Sequence, residues 1–389
     1  MEAVNLDKFR DKDFVPTSSP SMPETLDELT IHLADNINRK LQEFDKNGTN
    51  IEVFGPEWAR ENSALAGQMH ADIIVETYGT TYALPNKDPV ANQQAIESGD
   101  LDVYLMKVDG VLSGTTCLVN THDGRAELGR SAALDASGAS VILDYRILNW
   151  LTDDETAEKY HTLFTTLRTA PNRDAGFDMR GGQAVTAHWK KFPGLEVNGF
   201  GPLYLKHGSL EQFSCASLTR AVKIHPDLFV ADDESKDFVA AWHDNYTVQR
   251  PTFTGHAALN TTELKFDAHY PPLETGLTEY VHADIVQNPE GASIQDAIRE
   301  SEEAGSPFVQ VVVPIDGDTR ALQSELKSID YQAFSYQPGT NLTSPALVFG
   351  HVSPGSTVVE TFWHNQNLPN PLWRDKTLAD YALRVALRW

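Results

Sequence analysis

Cysteine is scarce in this chain, and the common metal and nucleotide motifs are missing. Only Cys117 and Cys215 occur in 389 residues, too few for a disulfide framework or a cysteine-ligated zinc site. The sequence also lacks His-x-x-x-His, His-Glu-x-x-His, EF-hand, Walker, dinucleotide-binding and Gly-x-Ser-x-Gly motifs. We therefore expect no metal, a reducing cytoplasmic setting, and chemistry other than that of a simple serine hydrolase.

Long apolar runs and basic residues are also few. No run of about 18 apolar residues occurs, and the first 14 residues are charged rather than signal-like. The formal net charge is −24, from 31 basic and 55 acidic residues. Such a balance argues against nucleic acid or a membrane surface as a partner. It suits a soluble protein, or one that docks a basic carrier or partner protein.

The clearest pattern in the chain is a run of strand signals followed by a helix signal. Alternating apolar residues at 101–108 and 111–119 meet at Asp109-Gly110, which suits a two-residue hairpin turn. A third run covers 125–134, and apolar residues at helical spacing follow over 142–151. The order is strand, strand, strand, loop, helix.

This order resembles the central unit of the Gcn5-related N-acetyltransferases (GNAT). The most specific match is Ala126-Glu-Leu-Gly-Arg-Ser-Ala132, which resembles the fourth strand of that family. The resemblance implies an α+β fold with a twisted mixed sheet flanked by helices. It also implies that the fourth and fifth strands splay apart, so that the backbone at Leu128 and Gly129 receives the pantetheine arm of acetyl-CoA or another acyl-CoA.

Catalytic and acceptor residues also follow from the resemblance. Glu127 takes the place of the general base, and Tyr204 that of the acid that protonates the leaving thiolate. A solvated strand carboxylate and a packed core tyrosine are the alternatives for these two residues. Further carboxylates and hydroxyls at the predicted acceptor pocket are Glu61, Glu76, Tyr78, Thr81 and Tyr82, of which Glu76 is also a candidate catalytic group.

The phosphate-binding loop departs from the family pattern. The family has a basic residue and two or three small residues, Arg/Gln-x-x-Gly-x-Gly/Ala, whose N–H groups hold the coenzyme A pyrophosphate at a helix N-terminus. Here the segment is Asp135-Ala-Ser-Gly-Ala-Ser-Val141, without a basic residue and with one glycine. The predicted donors are Gly138, Ala139 and Ser140, and Asp135 adds a charge of the wrong sign.

The flanking segments complete the first predicted domain. Thr25 and Glu28 form a capping box for an amphipathic helix that ends near Asn47-Gly48. A strand is expected at 50–54, one or two helices at 56–78, and helices at 155–170 and 183–191. A strand-like run at 200–205 then resembles the closing segment of the family fold. The predicted domains are an extension over 1–49 and a GNAT-like domain over 50–222.

Residues 223–389 are predicted to form a second, partial GNAT-like domain. Strands at 308–315, 331–339 and 346–350 surround a helix at 319–329, and a final helix is expected at 372–389. Nothing in the sequence resembles the Glu127–Leu134 strand ahead of this set.

Three functions remain open at this point. The first is acyl-CoA-dependent N-acyl transfer to a small amine with Glu127 as base. The second keeps the fold without the coenzyme: an intramolecular amine substitution that forms an aziridine or azabicycle. This reading reflects a resemblance in overall character to proteins of azinomycin-type antibiotic biosynthesis, and Glu61, Glu76 and Glu127 would orient the amine. The third is a non-catalytic pseudoenzyme that binds a partner protein.

Overall fold

The structure is a computed structural model in which a defined set of residues is described. They are residues 25–78, 87–122, 124–134, 136–168, 196–200, 204–206, 209–211, 213–220, 222–223, 225, 227–247, 251–253, 265–268, 281–286, 308–341 and 343–352. The predicted helices at 183–191 and 372–389 lie outside these residues.

The chain divides into two compact units, Met1–Thr165 and Thr166–Trp389. The boundary between these units lies earlier in the chain than the domain boundary predicted at 222. The domain boundary at 222 stays a prediction. The helices and strands of the first unit, in chain order, are α1 (Leu26–Lys46), β1 (Ile51–Phe54), α2 (Pro56–Glu61), α3 (Ser63–Tyr78), α4 (Pro89–Ser98), β2 (Leu101–Val108), β3 (Val111–Asn120), β4 (Arg125–Ala133), α5 (Ala136–Thr152), α6 (Asp154–Lys159) and β5 (Thr162–Arg168), which runs into the second unit.

The sheet of the first unit has the order β1-β2-β3-β4-β5. Neighbouring strands are antiparallel except β4 and β5, which are parallel. The predicted hairpin is confirmed, since Asp109 and Gly110 both have positive φ (51° and 77°) as a type I′ turn requires. The mixed sheet flanked by helices confirms the predicted α+β class.

Helices cover both faces of this sheet. On one face α2, α3 and α4 enclose an apolar cluster that includes Ala66, Val103 and Cys117. On the other face α5 packs on the sheet, and α1 packs against α5. The predicted N-cap residue of α1 is confirmed, since the Glu28 N–H donates to Thr25 Oγ1 (3.2 Å).

One predicted helix of the first domain is wrong. Instead of a single helix over 155–170, the chain forms the short helix α6 and then strand β5. The apolar residues of this segment fit helical spacing. However, Thr162, Thr165 and Thr166 are β-branched and favour a strand, and β4 offers a free edge for it to pair with.

The second unit contains a set of paired strands of mixed direction. Its elements are β6 (Glu196–Phe200), β7 (Tyr204–Lys206), β8 (Ser209–Glu211), β9 (Phe213–Thr219), α7 (Asp233–Tyr246), β10 (Lys265–Ala268), β11 (Val281–Val286), β12 (Phe308–Pro314), α8 (Arg320–Ser328), β13 (Gln332–Gln337) and β14 (Ala346–Val352). The strand order is β9-β6-β13-β14-β12-β11-β10, and β7 and β8 form a separate hairpin.

The second unit repeats one feature of the first. β10 is antiparallel to β11, and β11 is parallel to β12, which is the arrangement of β3, β4 and β5. The sequence showed no counterpart of β4 ahead of β12, but the structure places β11 there. The helix and strands predicted at 308–350 are confirmed as β12, α8, β13 and β14. That residues 223–389 are a second GNAT-like domain remains a prediction.

Candidate active site

A β-bulge in β4 sets the directions of the side chains at the candidate site. Cys117 of β3 pairs with Gly129, and Thr115 pairs with Ala132. One residue of β3 therefore faces two residues of β4, Arg130 and Ser131, which is a bulge. Because of this extra residue, Gly129 and Ala132 both face the α3 side of the sheet.

The ladder between β4 and β5 ends in the middle of β4. Arg125–Glu127 pairs with Thr162–Phe164 in parallel register, and no further β4–β5 pair follows in the described strands. β4 continues for Leu128–Ala133, paired with β3 alone in the part of the chain that the structure describes. The splay implied by the family resemblance is thus present, and it begins beside Glu127.

Glu127 is half-buried on the α3 side of β4 at the point of the split. Gly129 gives its side chain room: a Cβ added there would lie 3.5 Å from the Glu127 carboxyl carbon. Opposite Glu127, the Phe164 ring has the Arg125 guanidinium 5.8 Å from its centroid. The carboxyl group therefore lies over Gly129, at the point where the ladder between β4 and β5 ends.

A buried ionic cluster fixes the start of β5. Asp102 of β2 accepts from Lys159 Nζ (2.9 Å) and from the Tyr160 hydroxyl (2.8 Å). Burial raises the pKa of Tyr160, and the Asp102 charge raises it further. The Trp150 indole of α5 donates to the Tyr160 carbonyl (2.7 Å). Since Tyr160 lies two residues before β5, these bonds hold β5 against β4 only at its beginning.

The phosphate site predicted at the N-terminus of α5 is only partly described. The helix begins at Ala136, so by position Gly138 lies in its first turn, where N–H groups have no partner within the helix; the roles of Gly138, Ala139 and Ser140 stay predictions. Gly138 is buried, and a Cβ there would lie 2.7 Å from Met106 Cε. Close packing on Met106 therefore also explains why residue 138 is a glycine. Asp135 lies outside the described residues.

The predicted acceptor residues are only partly described. Glu61 is the last residue of α2 and Glu76 lies in the last turn of α3, and both are exposed. Tyr78 ends α3, and its side chain is outside the described set, as are Thr81 and Tyr82. An acceptor pocket formed by these residues stays a prediction.

Tyr204 lies in the second unit, as the first residue of the small hairpin strand β7, where it pairs with Glu211. Of the run predicted at 200–205, Phe200 ends β6, and Tyr204 begins β7 of the separate β7–β8 hairpin. Residues 201–203 lie outside the described residues. The acid role of Tyr204 stays a prediction.

Two buried polar side chains beside β3 were missed by sequence reasoning. His70 of α3 is buried, and its Nδ1 lies 2.7 Å from the Thr115 hydroxyl on the Glu127 side of the sheet. Arg146 of α5 is buried on the opposite side, against Thr116. The signal for Arg146 was its spacing: it lies four residues after Ile142, inside the apolar stripe of α5.

Comparisons with known proteins give matches among solved structures. An aminoglycoside 6′-acetyltransferase type Ii is 11% identical and covers 45% of this chain and 99% of its own (TM-score 0.31). A GNAT acetyltransferase from Streptococcus pneumoniae is 14% identical, covering 44% and 99% (TM-score 0.30). An aminoglycoside 6′-N-acetyltransferase complexed with coenzyme A is 12% identical, covering 40% and 92% (TM-score 0.29). No family model matches the sequence, and a search of the curated proteins finds no match.

The first unit has the GNAT fold. This assignment rests on its own strand order, on the parallel β4–β5 pair that ends after three residues, and on helix α5 between those strands.

The described residues contain no helix with the length and apolarity that a membrane crossing requires. No group of three or more His, Cys, Asp or Glu side chains within them is arranged to hold a metal ion.

Proposed function

We propose that this protein transfers an acyl group from acyl-CoA to a small amine, with Glu127 as the general base. One observation carries the proposal: the β4–β5 ladder stops at Glu127 and Phe164 while β4 continues. In the part of the chain that the structure describes, a strand edge without a ladder partner and a half-buried carboxylate therefore occur at the same place. The edge can present backbone groups to an amide-containing arm, and the carboxylate can take a proton beside it.

Glu127 suits the role of base because of its surroundings. An amine must lose a proton before or during attack on a carbonyl, and a carboxylate within hydrogen-bond reach can accept it. The side chain lies along the strand over Gly129 and stays partly exposed, so an acceptor amine can approach it.

The described residues can contact two parts of acyl-CoA, the pantetheine arm and the pyrophosphate. Leu128 and Gly129 supply the backbone edge for the pantetheine arm, although the Leu128 carbonyl already accepts from Thr165 Oγ1 (3.3 Å). The N–H groups at the start of α5 can hold the pyrophosphate, without the basic residue that the family has. Acyl-CoA supplies the thioester carbonyl, and the chain aligns the arm and removes the amine proton.

The acceptor is expected to be a cation in solution. A net charge of −24 raises the local concentration of small ammonium ions at the surface and speeds their encounter. Glu61, Glu76, Tyr78, Thr81 and Tyr82 are the proposed contacts for its polar groups. Tyr204 is the proposed acid for the thiolate.

Acetyl transfer to a panel of small diamines and amino sugars tests this proposal. We expect Glu127→Gln to lower kcat/KM by about a hundred- to ten-thousand-fold with little change in acetyl-CoA affinity. Glu52→Gln is the matched control, since Glu52 is also a half-buried strand glutamate, on β1 away from β4. Equal activity of the two variants would remove Glu127 as the base.

A second candidate function is favoured by the start of α5. Gly138 packs on Met106, and no basic residue lies between β4 and α5. Without a coenzyme, the same carboxylate could serve an intramolecular amine substitution. The nitrogen lone pair would form a C–N bond, the leaving group would depart with the electrons of its bond to carbon, and Glu127 would take the amine proton. An enzyme of this kind converts a sulfonated or phosphorylated amino substrate when coenzyme A is absent.

A further inference from the structure

Arg146 is a buried cation in the middle of α5. Its side chain is 3% exposed, and it reaches the sheet on the face opposite Glu127. Arginine is rarely fully buried unless a carboxylate pairs with it. In the part of the chain that the structure describes, no carboxylate oxygen lies within 4.0 Å of this guanidinium, and its Nε is buried without a hydrogen-bond partner.

The hydrogen bonds of Arg146 all go to the bulge of β4 and the residues opposite it. One guanidinium nitrogen donates to Thr116 Oγ1 (2.5 Å) and to the Cys117 carbonyl (3.0 Å). The same nitrogen lies 3.5 Å from Ser131 Oγ, and the Thr116 and Ser131 hydroxyls are 2.6 Å apart. These partners bracket the extra residue of β4, so the guanidinium fastens both strands at the irregular point.

Burial of this charge has a cost. Loss of hydration lowers the pKa of Arg146 to about 10, while the charge of Glu127 acts in the opposite direction. The group remains a cation at neutral pH, held mainly by neutral oxygens. An apolar side chain of similar length would fill the same space without this desolvation cost. What the guanidinium adds is a fixed fork of donors at the bulge.

We propose that Arg146 is a positioning residue that holds the β4 bulge and thereby shapes, for the pantetheine arm, the part of β4 that continues beyond its ladder with β5. The inference rests on the proposed acyl-CoA function. Bulges re-aim side chains and backbone groups near active sites. Here the bulge lies immediately after the β4–β5 split, so a change in its geometry alters the edge that the arm contacts.

Binding of two ligands to the full-length protein tests the inference. Acetyl-CoA contains the pantetheine arm, whereas adenosine 3′,5′-bisphosphate contains only the nucleotide end. We expect Arg146→Met to weaken acetyl-CoA binding at least tenfold. The affinity for the bisphosphate should change by no more than about twofold. Arg146→Lys should recover part of the lost acetyl-CoA affinity. Asn149→Leu is the control, because Asn149 lies on the same helix but contacts the Tyr104 hydroxyl.

Steady-state kinetics give a second test, which also works with an acyl donor that has no nucleotide part. Arg146→Met should lower kcat/KM by the same factor for acetyl-CoA and for S-acetylpantetheine, since both carry the arm. If Arg146→Met does not fold, Thr116→Val removes the strongest sheet-side contact and should show the same selectivity. An equal loss for acetyl-CoA and the bisphosphate, or no loss, would overturn the positioning role. A wild-type protein that binds neither would instead refute the proposed function, and this inference with it.

Discussion

Glu196 should make the stability of the second unit fall as pH rises through neutrality. This carboxyl of β6 is buried, and its Oε2 accepts from the Ser217 hydroxyl (2.7 Å) and the Thr219 hydroxyl (2.8 Å). No Lys, Arg or His in the described residues forms an ion pair with it. Burial raises the pKa of Glu196 from 4.5 to about 7, and the hydroxyl hydrogen bonds offset only part of that rise.

The sign follows from proton binding in the two states. Between pH 4.5 and 7 the folded state holds a proton on Glu196 that the unfolded state has released, so raising the pH reduces the free energy of unfolding. The contribution is complete below pH 4.5 and lost above pH 7. The difference between the two pKa values corresponds to about 3 kcal/mol, of which about 2 kcal/mol is lost between pH 5.5 and 8.

Urea unfolding of wild type and Glu196→Gln between pH 5.5 and 8.5 measures this contribution. Glutamine keeps the shape and stays neutral, so the wild type should lose about 2 kcal/mol relative to the variant over this range. The neighbouring His243 has a pKa lowered to about 4 by burial. Protonation of His243 lowers the free energy of unfolding only as pH falls below 6.5. Because both proteins contain His243, this effect cancels when the wild type is compared with the variant. Parallel pH profiles for the two proteins would refute the assignment.

Three further changes have expected outcomes. Asp102→Asn should lower the free energy of unfolding by about 1–3 kcal/mol, because Lys159 and the buried Tyr160 lose a charged hydrogen-bond acceptor; unchanged thermal or urea unfolding would contradict this. Gly199→Ala should cost more than about 3 kcal/mol, since its Cβ would collide with the Phe334 carbonyl and φ is 154°; wild-type Tm would contradict it. Glu127→Gln should abolish most acetyl transfer while acetyl-CoA affinity is kept; parallel losses of binding and rate would contradict a role as base.

Local patterns predicted the first part of the fold well. The Asp109-Gly110 turn, the alternation over 101–119 and the N-cap at Thr25 depend on residues close in sequence. They specify hairpins and helix ends without reference to distant contacts. The β4 motif likewise placed Glu127 correctly on a strand that separates from its neighbour.

Features that depend on distant contacts were not predictable from these patterns. β5 is a strand because its β-branched threonines favour one and because it can pair with β4, although the spacing of its apolar residues also fits a helix. The role of Arg146 depends on Thr116 and Ser131, which lie 30 and 15 residues away in sequence. The close packing of Gly138 on Met106 likewise could not be predicted, because the phosphate-binding pattern of this segment says nothing about contacts with β2.

Isothermal titration of acetyl-CoA, and of free coenzyme A, into the full-length protein tests the central claim most directly. The account predicts micromolar affinity, about −8 kcal/mol, with the free β4 edge and the first turn of α5 both contributing. Absence of binding up to millimolar concentration would contradict acyl transfer and would leave coenzyme-independent chemistry at Glu127 as the function to test.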